Sequence, residues 1–164
     1  MTPEQEELHT SLAEIEEEFG GDISFIPVTS EQSVSALEAA ISWQMPSIFR
    51  YFYTQEANGL VIGSKRLYSI RDDAQKKTLV ENLARQNDPT TSPWFKSRPH
   101  IFKDYLVIGY DGQICFCLSK KYTLDNPSIY LCENPNSSTG VDFDRLDITL
   151  LGLIATMVEN EFSA

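Results

Sequence analysis

Leu8, Leu12, Ile15 and Phe19 recur at helical spacing behind Thr2-Pro3-Glu4-Gln5. In that opening Thr2 is placed to cap, Pro3 takes the first helical position, and Gln5 completes a capping box. The pattern predicts an amphipathic helix with an acidic outer face, stopped at Gly20-Gly21. The stretch from Ile23 to Val28 reads as extended, and Pro27 makes it an edge strand or a linker. Thr29 and Gln32 repeat the capping-box spacing and open a second helix, whose Val34, Leu37 and Ile41 form one stripe. Pro46 ends that run and starts another, in which Ile48, Phe49, Phe52 and Tyr53 give an aromatic face closed by a left-handed stop at Asn58-Gly59.

From Leu60 the period changes. Leu60-Val61-Ile62 and the run Arg66 to Ile70 are short apolar segments split by Gly63, as expected of strands. Asp72 or Asp73 is placed to cap a helix carrying Leu79, Val80 and Leu83, and the Pro-, Ser- and Thr-rich stretch from Asn87 to Pro99 reads as a loop. Two apolar runs, Tyr105 to Tyr110 and Gln113 to Leu118, flank Asp111-Gly112, the strongest short-range hairpin signal. Ile129 to Cys132 adds a strand and Asn134 to Gly140 a surface loop. A closing helix is expected from Asp142 or Asp144 to about Phe162, with Leu146, Leu150, Leu153, Ile154, Met157 and Val158 inward. The elements predict an α+β fold with a twisted, mainly antiparallel sheet of about four to six strands and helices packed against it.

Charge changes this picture more than length does. The 164 residues fit one domain and carry a net charge of −11. All 13 Lys and Arg lie from Arg50 onward, whereas ten of the 24 acids precede it, so the front of the chain holds nearly all the excess. Such a field repels nucleic acid and attracts a basic partner, and acidity also serves solubility alone. No apolar run approaches a membrane span and the first residues are acidic and polar, so a cytoplasmic location with no membrane partner is expected.

Candidates for chemistry are few. His9 and His100 have no partner nearby in sequence and read as surface residues. Cys115 and Cys117 share a strand face, and Cys132 on a neighbouring strand would complete a three-thiolate zinc site. Buried, reduced thiols are the stronger reading, since all three sit inside apolar runs. The glycines form no phosphate-binding pattern. Trp43 with Phe49, Phe52 and Tyr53 would line a groove, though aromatics at helical spacing more often form core. No catalytic residue, metal site or cofactor is therefore expected.

The order of motifs resembles the SMI1/KNR4 (SUKH) superfamily: a helix with Ala36-Leu37-Glu38, then Met45-Pro46, Phe49 and Phe52, then Asn58-Gly59, then Leu67-Tyr68-Ser69-Ile70. Val107-Ile108-Gly109 with the Asp111-Gly112 turn, Ile129-Tyr130 and the closing helix continue it to the C-terminus. Met45 stands where leucine is usual, a swap of similar volume. Glu38, Trp43, Pro46, Phe49, Phe52, Gly59 and Gly112 are then structural motif positions.

The resemblance implies a non-catalytic protein-binding domain over 29–164, with 1–28 an acidic helix and linker packed on it. Bacterial relatives are immunity proteins that neutralise a cognate toxin, often a nuclease, and fungal ones are scaffolds in cell-wall signalling. The first of these is the expectation here: a monomer or weak dimer binding a basic toxin domain. The carboxylates assigned to its contact surface are Glu14, Glu17, Glu18, Asp22, Glu56, Asp72, Asp73 and Asp111.

Overall fold

Each strand pairs with the next in sequence in one antiparallel meander. The computed structural model of the protein describes residues 1–71 and 80–163. Among them the sheet has seven strands in the order β1 (Ile23–Phe25), β2 (Leu60–Ile62), β3 (Lys65–Leu67), β4 (Tyr105–Asp111), β5 (Ile114–Ser119), β6 (Tyr130–Cys132) and β7 (Asp144–Arg145). The fold is α+β, with a strand or more beyond the four to six expected, because two very short strands join at the edges. Ile23–Phe25 is one of them, so the segment with Pro27 supplies an edge rather than a linker.

The helix α1 (Pro3–Phe19) starts as its sequence dictates: Thr2 Oγ1 accepts the Gln5 N–H at 3.2 Å and Gln5 Oε1 accepts the Thr2 N–H at 3.1 Å. Its Leu8 and Leu12 are buried in the common core. The helix α2 (Glu31–Ile41) is capped one residue later than the spacing suggested. The Thr29 N–H is held by the Tyr53 carbonyl at 2.9 Å, outside the helix, and Ser30 Oγ accepts from Ser33 N instead.

The aromatic run after Pro46 is two pieces, α3 (Ser47–Tyr51) and a π-helical turn over Phe52–Glu56. A π turn is wider than an α turn, which lets the consecutive Phe52, Tyr53 and Thr54 all face inward. Phe49, Phe52 and Tyr53 are core and line no groove. The run closes at Gly59, whose φ of +99° and approach to the Leu67 carbonyl leave no room for a Cβ.

Both tight hairpins share a device. In β2–β3 the turn is Gly63-Ser64 and in β4–β5 it is Gly112-Gln113, each with glycine at positive φ in the first turn position. The second turn therefore sits one residue beyond the expected Asp111-Gly112, because Asp111 pairs with Ile114 inside the ladder. Leu67 is where β3 ends, and Ser69 forms only an isolated parallel bridge to Asn82. Asp72, Asp73 and Leu79 of the expected helix lie outside the described residues; Val80 sits in a bend, and Leu83 opens the four-residue helix α4 (Leu83–Gln86) under an Asn82 cap.

The closing helix α5 (Leu150–Phe162) begins well after Asp144. Asp144–Arg145 is drawn into the ladder with β6, and the Leu146 N–H reaches the Ile129 carbonyl at 2.8 Å, so sheet pairing overrides the helical spacing of Leu146. Phe19 at the end of α1 stacks on Phe162 at the end of α5, with ring centroids 4.7 Å apart. No helix among the described residues is long and apolar enough to cross a membrane.

Candidate protein interface

The elbow between α2 and α3 is built on one carboxylate. Glu38 Oε2 accepts the Met45 N–H at 2.7 Å, and its other oxygen meets the Arg50 guanidinium, which also holds Glu31. Burial works to lower the Arg50 pKa, but the hydrogen bonds and charges of Glu31 and Glu38 outweigh it and raise it. Glu38 thus serves the fold: it fixes the turn that delivers Met45 and Pro46 to the core and leaves Trp43 partly exposed at the surface. The N-terminal amide of α3 is satisfied from a distant loop, the Asp125 carbonyl accepting from Ile48 N at 3.0 Å.

Two asparagines that read as turn residues act instead as pieces of strand. Asn58 Oδ1 accepts from Ile70 N and its Nδ2 donates to the Ile70 carbonyl, both at 2.7 Å. Asn87 does the same with Val107, at 2.7 and 2.8 Å. Each satisfies buried backbone groups where the ladder is interrupted. The long loop after Asn87 is pinned by Asn136, which bonds Lys96 N and the Pro93 carbonyl, and sends Trp94 and Phe95 into the core. Nothing in the loop's composition signals that burial.

The carboxylates expected at an interface fall into three groups. Glu14, Glu17, Glu18 and Asp22 are exposed around the C-terminal end of α1, and none makes an ion pair among the described residues. Glu159 and Glu161 lie on the last turns of α5, which the Phe19–Phe162 stack places alongside, and Glu161 is tied to Lys65. Neither helix has a basic residue in its last turn. Carboxylates at a helix C-terminus oppose the macrodipole, each at a cost of roughly 0.3–1 kcal/mol. This end of the molecule is therefore negative against the preference of its own helices.

Glu56 behaves differently from the expected contact residue. Its side chain is only 10% exposed, and it accepts from the Tyr51 hydroxyl and lies 2.9 Å from His9 Nδ1, fastening α1 to the π turn. Burial, then the Glu56 hydrogen bond, pushes the Tyr51 hydroxyl pKa up. Asp111, at the end of β4, stands 3.9 Å from Lys65, its register partner on β3. Asp72 and Asp73 lie outside the described residues.

The three thiols are free and fully buried. Cys115 and Cys132 are register partners, and the Cys115 and Cys117 sulfurs are 3.8 Å apart. The hydrogen bond with Cys117, with burial added, raises the Cys115 pKa; for Cys132 the hydrogen bond with Cys115 leads, again with burial. Both stay protonated near neutrality, the form that neither attacks nor ligates. Among the described residues no three His, Cys, Asp or Glu side chains group in a way that could hold a metal.

The motif positions fall into place as one scaffold: Glu38 at the elbow, Pro46 at the start of α3, Phe49 and Phe52 in the core, Gly59 at the forced turn and Gly112 in the hairpin. A family model described as SMI1 / KNR4 family (SUKH-1) matches residues 28–148. The chain belongs to the SMI1/KNR4 (SUKH-1) family. A comparison with curated proteins gives no match. Family membership makes this an immunity-like or protein-interaction domain, of a kind that is generally non-catalytic. The matched region takes in the elbow and β2 to β7, and α1, β1 and α5 lie outside it.

Proposed function

We propose that the protein is an immunity protein that neutralises a cognate toxin by binding it directly, and that the toxin presents a basic surface to the end of α1. The observation that carries this reading is the exposed group Glu14, Glu17, Glu18 and Asp22, which makes no ion pair among the described residues, in a front segment without a single Lys or Arg. An uncompensated negative surface raises the encounter rate with a basic partner and discriminates against acidic ones. Keeping carboxylates at a helix C-terminus works against stability, which favours a role in binding over one in folding. A nuclease fits as partner, because its substrate cleft is basic to hold phosphates.

The test is co-expression with candidate toxin domains that carry a basic cleft. Cells expressing the toxin should survive only with the protein present, and the pair should purify as a stoichiometric complex. The quadruple variant E14Q/E17Q/E18Q/D22N should fold normally and lose most of the protection. Full protection by that variant would remove the acidic surface from the account.

A further inference from the structure

Apart from the terminal Met1, the most exposed large apolar side chains among the described residues stand together in one loop. Tyr122 is 60% and Leu124 is 54% exposed, in one loop between β5 and β6. Burying such side chains is worth roughly 1.5–3 kcal/mol each, so their exposure calls for a reason when two stand together. The loop is not loosely placed. The Asp125 carbonyl is bound by Ile48 N, and Lys120 Nζ donates to the Phe102 carbonyl at 2.8 Å, so both ends are tied to other elements while Tyr122 and Leu124 face out.

Beneath them runs a cleft of about 350 Å³ lined by Ser119, Tyr122, Leu124, Pro127, Ser128, Tyr130 and Arg145. Its far wall is the sheet. Tyr130 and Arg145 are register partners, so they share a sheet face, and Tyr130 packs edge-on against Tyr105, which in turn stacks on Phe143. On its other side Leu124 borders a second hollow, with Trp43 and Pro46. The exposed strip therefore continues from Trp43 across Leu124 and Tyr122 to Tyr130 and Arg145.

Arg145 decides what such a strip would take. It is the one charged residue in the lining of the larger cleft, and it makes no ion pair among the described residues of a chain with net charge −11. Among the described residues its side-chain hydrogen bond is a long one, from Nη2 to Ser128 Oγ at 3.3 Å. A guanidinium has a planar fork of donors suited to a carboxylate, and aromatic residues with arginine are the commonest composition of binding hot spots.

We infer that the Tyr122–Tyr130–Arg145 cleft is a second protein-docking site, which takes a partner segment carrying aliphatic side chains beside a carboxylate. The aliphatic groups lie on Tyr122, Leu124 and Tyr130, and the carboxylate pairs with Arg145. This site has the opposite charge preference from the end of α1 and does not depend on the toxin reading. One molecule can then hold a basic partner at one end and an acidic-flanked apolar segment on its sheet.

N-acetyl-leucyl-leucine, with its free carboxylate, is the probe, and its C-terminal amide is the comparison. In a two-dimensional amide NMR titration of the full chain, the acid should give saturable shifts confined to 119–130 and 145, and the amide should bind at least about fivefold more weakly, the size of a partly exposed charge-assisted contact. Arg145→Gln, a change at an exposed position, should bring the acid down to the amide's affinity. Leu124→Ala should weaken both probes by a similar factor. The E14Q/E17Q/E18Q/D22N variant should bind the probe as the unchanged protein does, so loss of toxin protection and loss of this site are read separately. Scattered or non-saturating shifts, equal binding of acid and amide, or an unaffected Arg145→Gln variant would each overturn the site.

Discussion

Replacing Glu38 by alanine is the sharpest test of how the family core holds its elbow. The substitution removes the acceptor of the Met45 N–H, bonded at 2.7 Å, and leaves that amide without its carboxylate. A hydrogen bond to a charged group contributes about 1.5–3 kcal/mol. The ion pair with Arg50 adds less, because the two side chains are 15% and 28% exposed and solvent screens them. The sum is a loss of about 2–3 kcal/mol, a shift of roughly 1 M in the urea midpoint for a slope near 2 kcal/mol/M. Glu38→Gln retains an acceptor for Met45 and gives up only the charge, so it should lose about half as much. Equilibrium urea unfolding followed by tryptophan fluorescence measures both. If Glu38→Ala moved the midpoint by less than about 0.2 M, or if Gln cost as much as Ala, the carboxylate would not be what holds the turn.

Other positions test other links. Gly59→Ala meets both a φ of +99° and a Cβ 2.7 Å from the Leu67 carbonyl, so it should cost at least about 1–3 kcal/mol or prevent folding, read by the thermal midpoint. Leu8→Ala and Leu12→Ala should each cost about 2–5 kcal/mol, and deleting residues 1–28 should unfold the domain, because it also removes strand β1. Asp88 accepts from the Thr90 backbone N–H and hydroxyl, which lowers its pKa below the ordinary 3.8. That contribution is present above pH 3.8 and is lost as the pH falls through the lowered value, so the stability difference between Asp88→Ala and the unchanged protein should shrink at acid pH. The three cysteines should react with a thiol reagent only at the rate of unfolding, which a comparison with the reaction in urea shows.

How much of this was legible beforehand depends on how local each signal is. The start of α1 was readable because Thr2, Pro3 and Gln5 act within one turn. The β4–β5 hairpin was readable too, although Asp111 belongs to the strand and Gly112-Gln113 to the turn. The end of the chain is not legible in this way, since Leu146 has helical spacing with Leu150 and the distant Ile129 draws it into the sheet. Asn58 and Asn87 carry no sign in sequence that their amides complete a ladder with residues 12 and 20 positions away. Trp94 and Phe95 sit in a stretch whose composition reads as loop, and their burial follows from Tyr68, Phe102 and Phe143 around them.

The candidate surfaces divide along the same line. The acidity of α1 is a local property, visible in Glu14, Glu17, Glu18 and Asp22 as a string, whereas Glu56 looked equivalent and is consumed by His9 and Tyr51. The Arg145 cleft had no trace in the sequence, because its walls come from the end of β5, the following loop, β6 and the edge strand β7.

The proposal that the end of α1 recruits a basic partner is tested most directly by the association rate with a basic toxin domain that the protein protects against, measured by stopped flow as salt rises from about 50 mM to about 500 mM. The account predicts a rate that falls at least about tenfold over that range and a much flatter dependence for E14Q/E17Q/E18Q/D22N, with dissociation rates little changed. A rate indifferent to salt, or the same salt dependence in protein and variant, would contradict it.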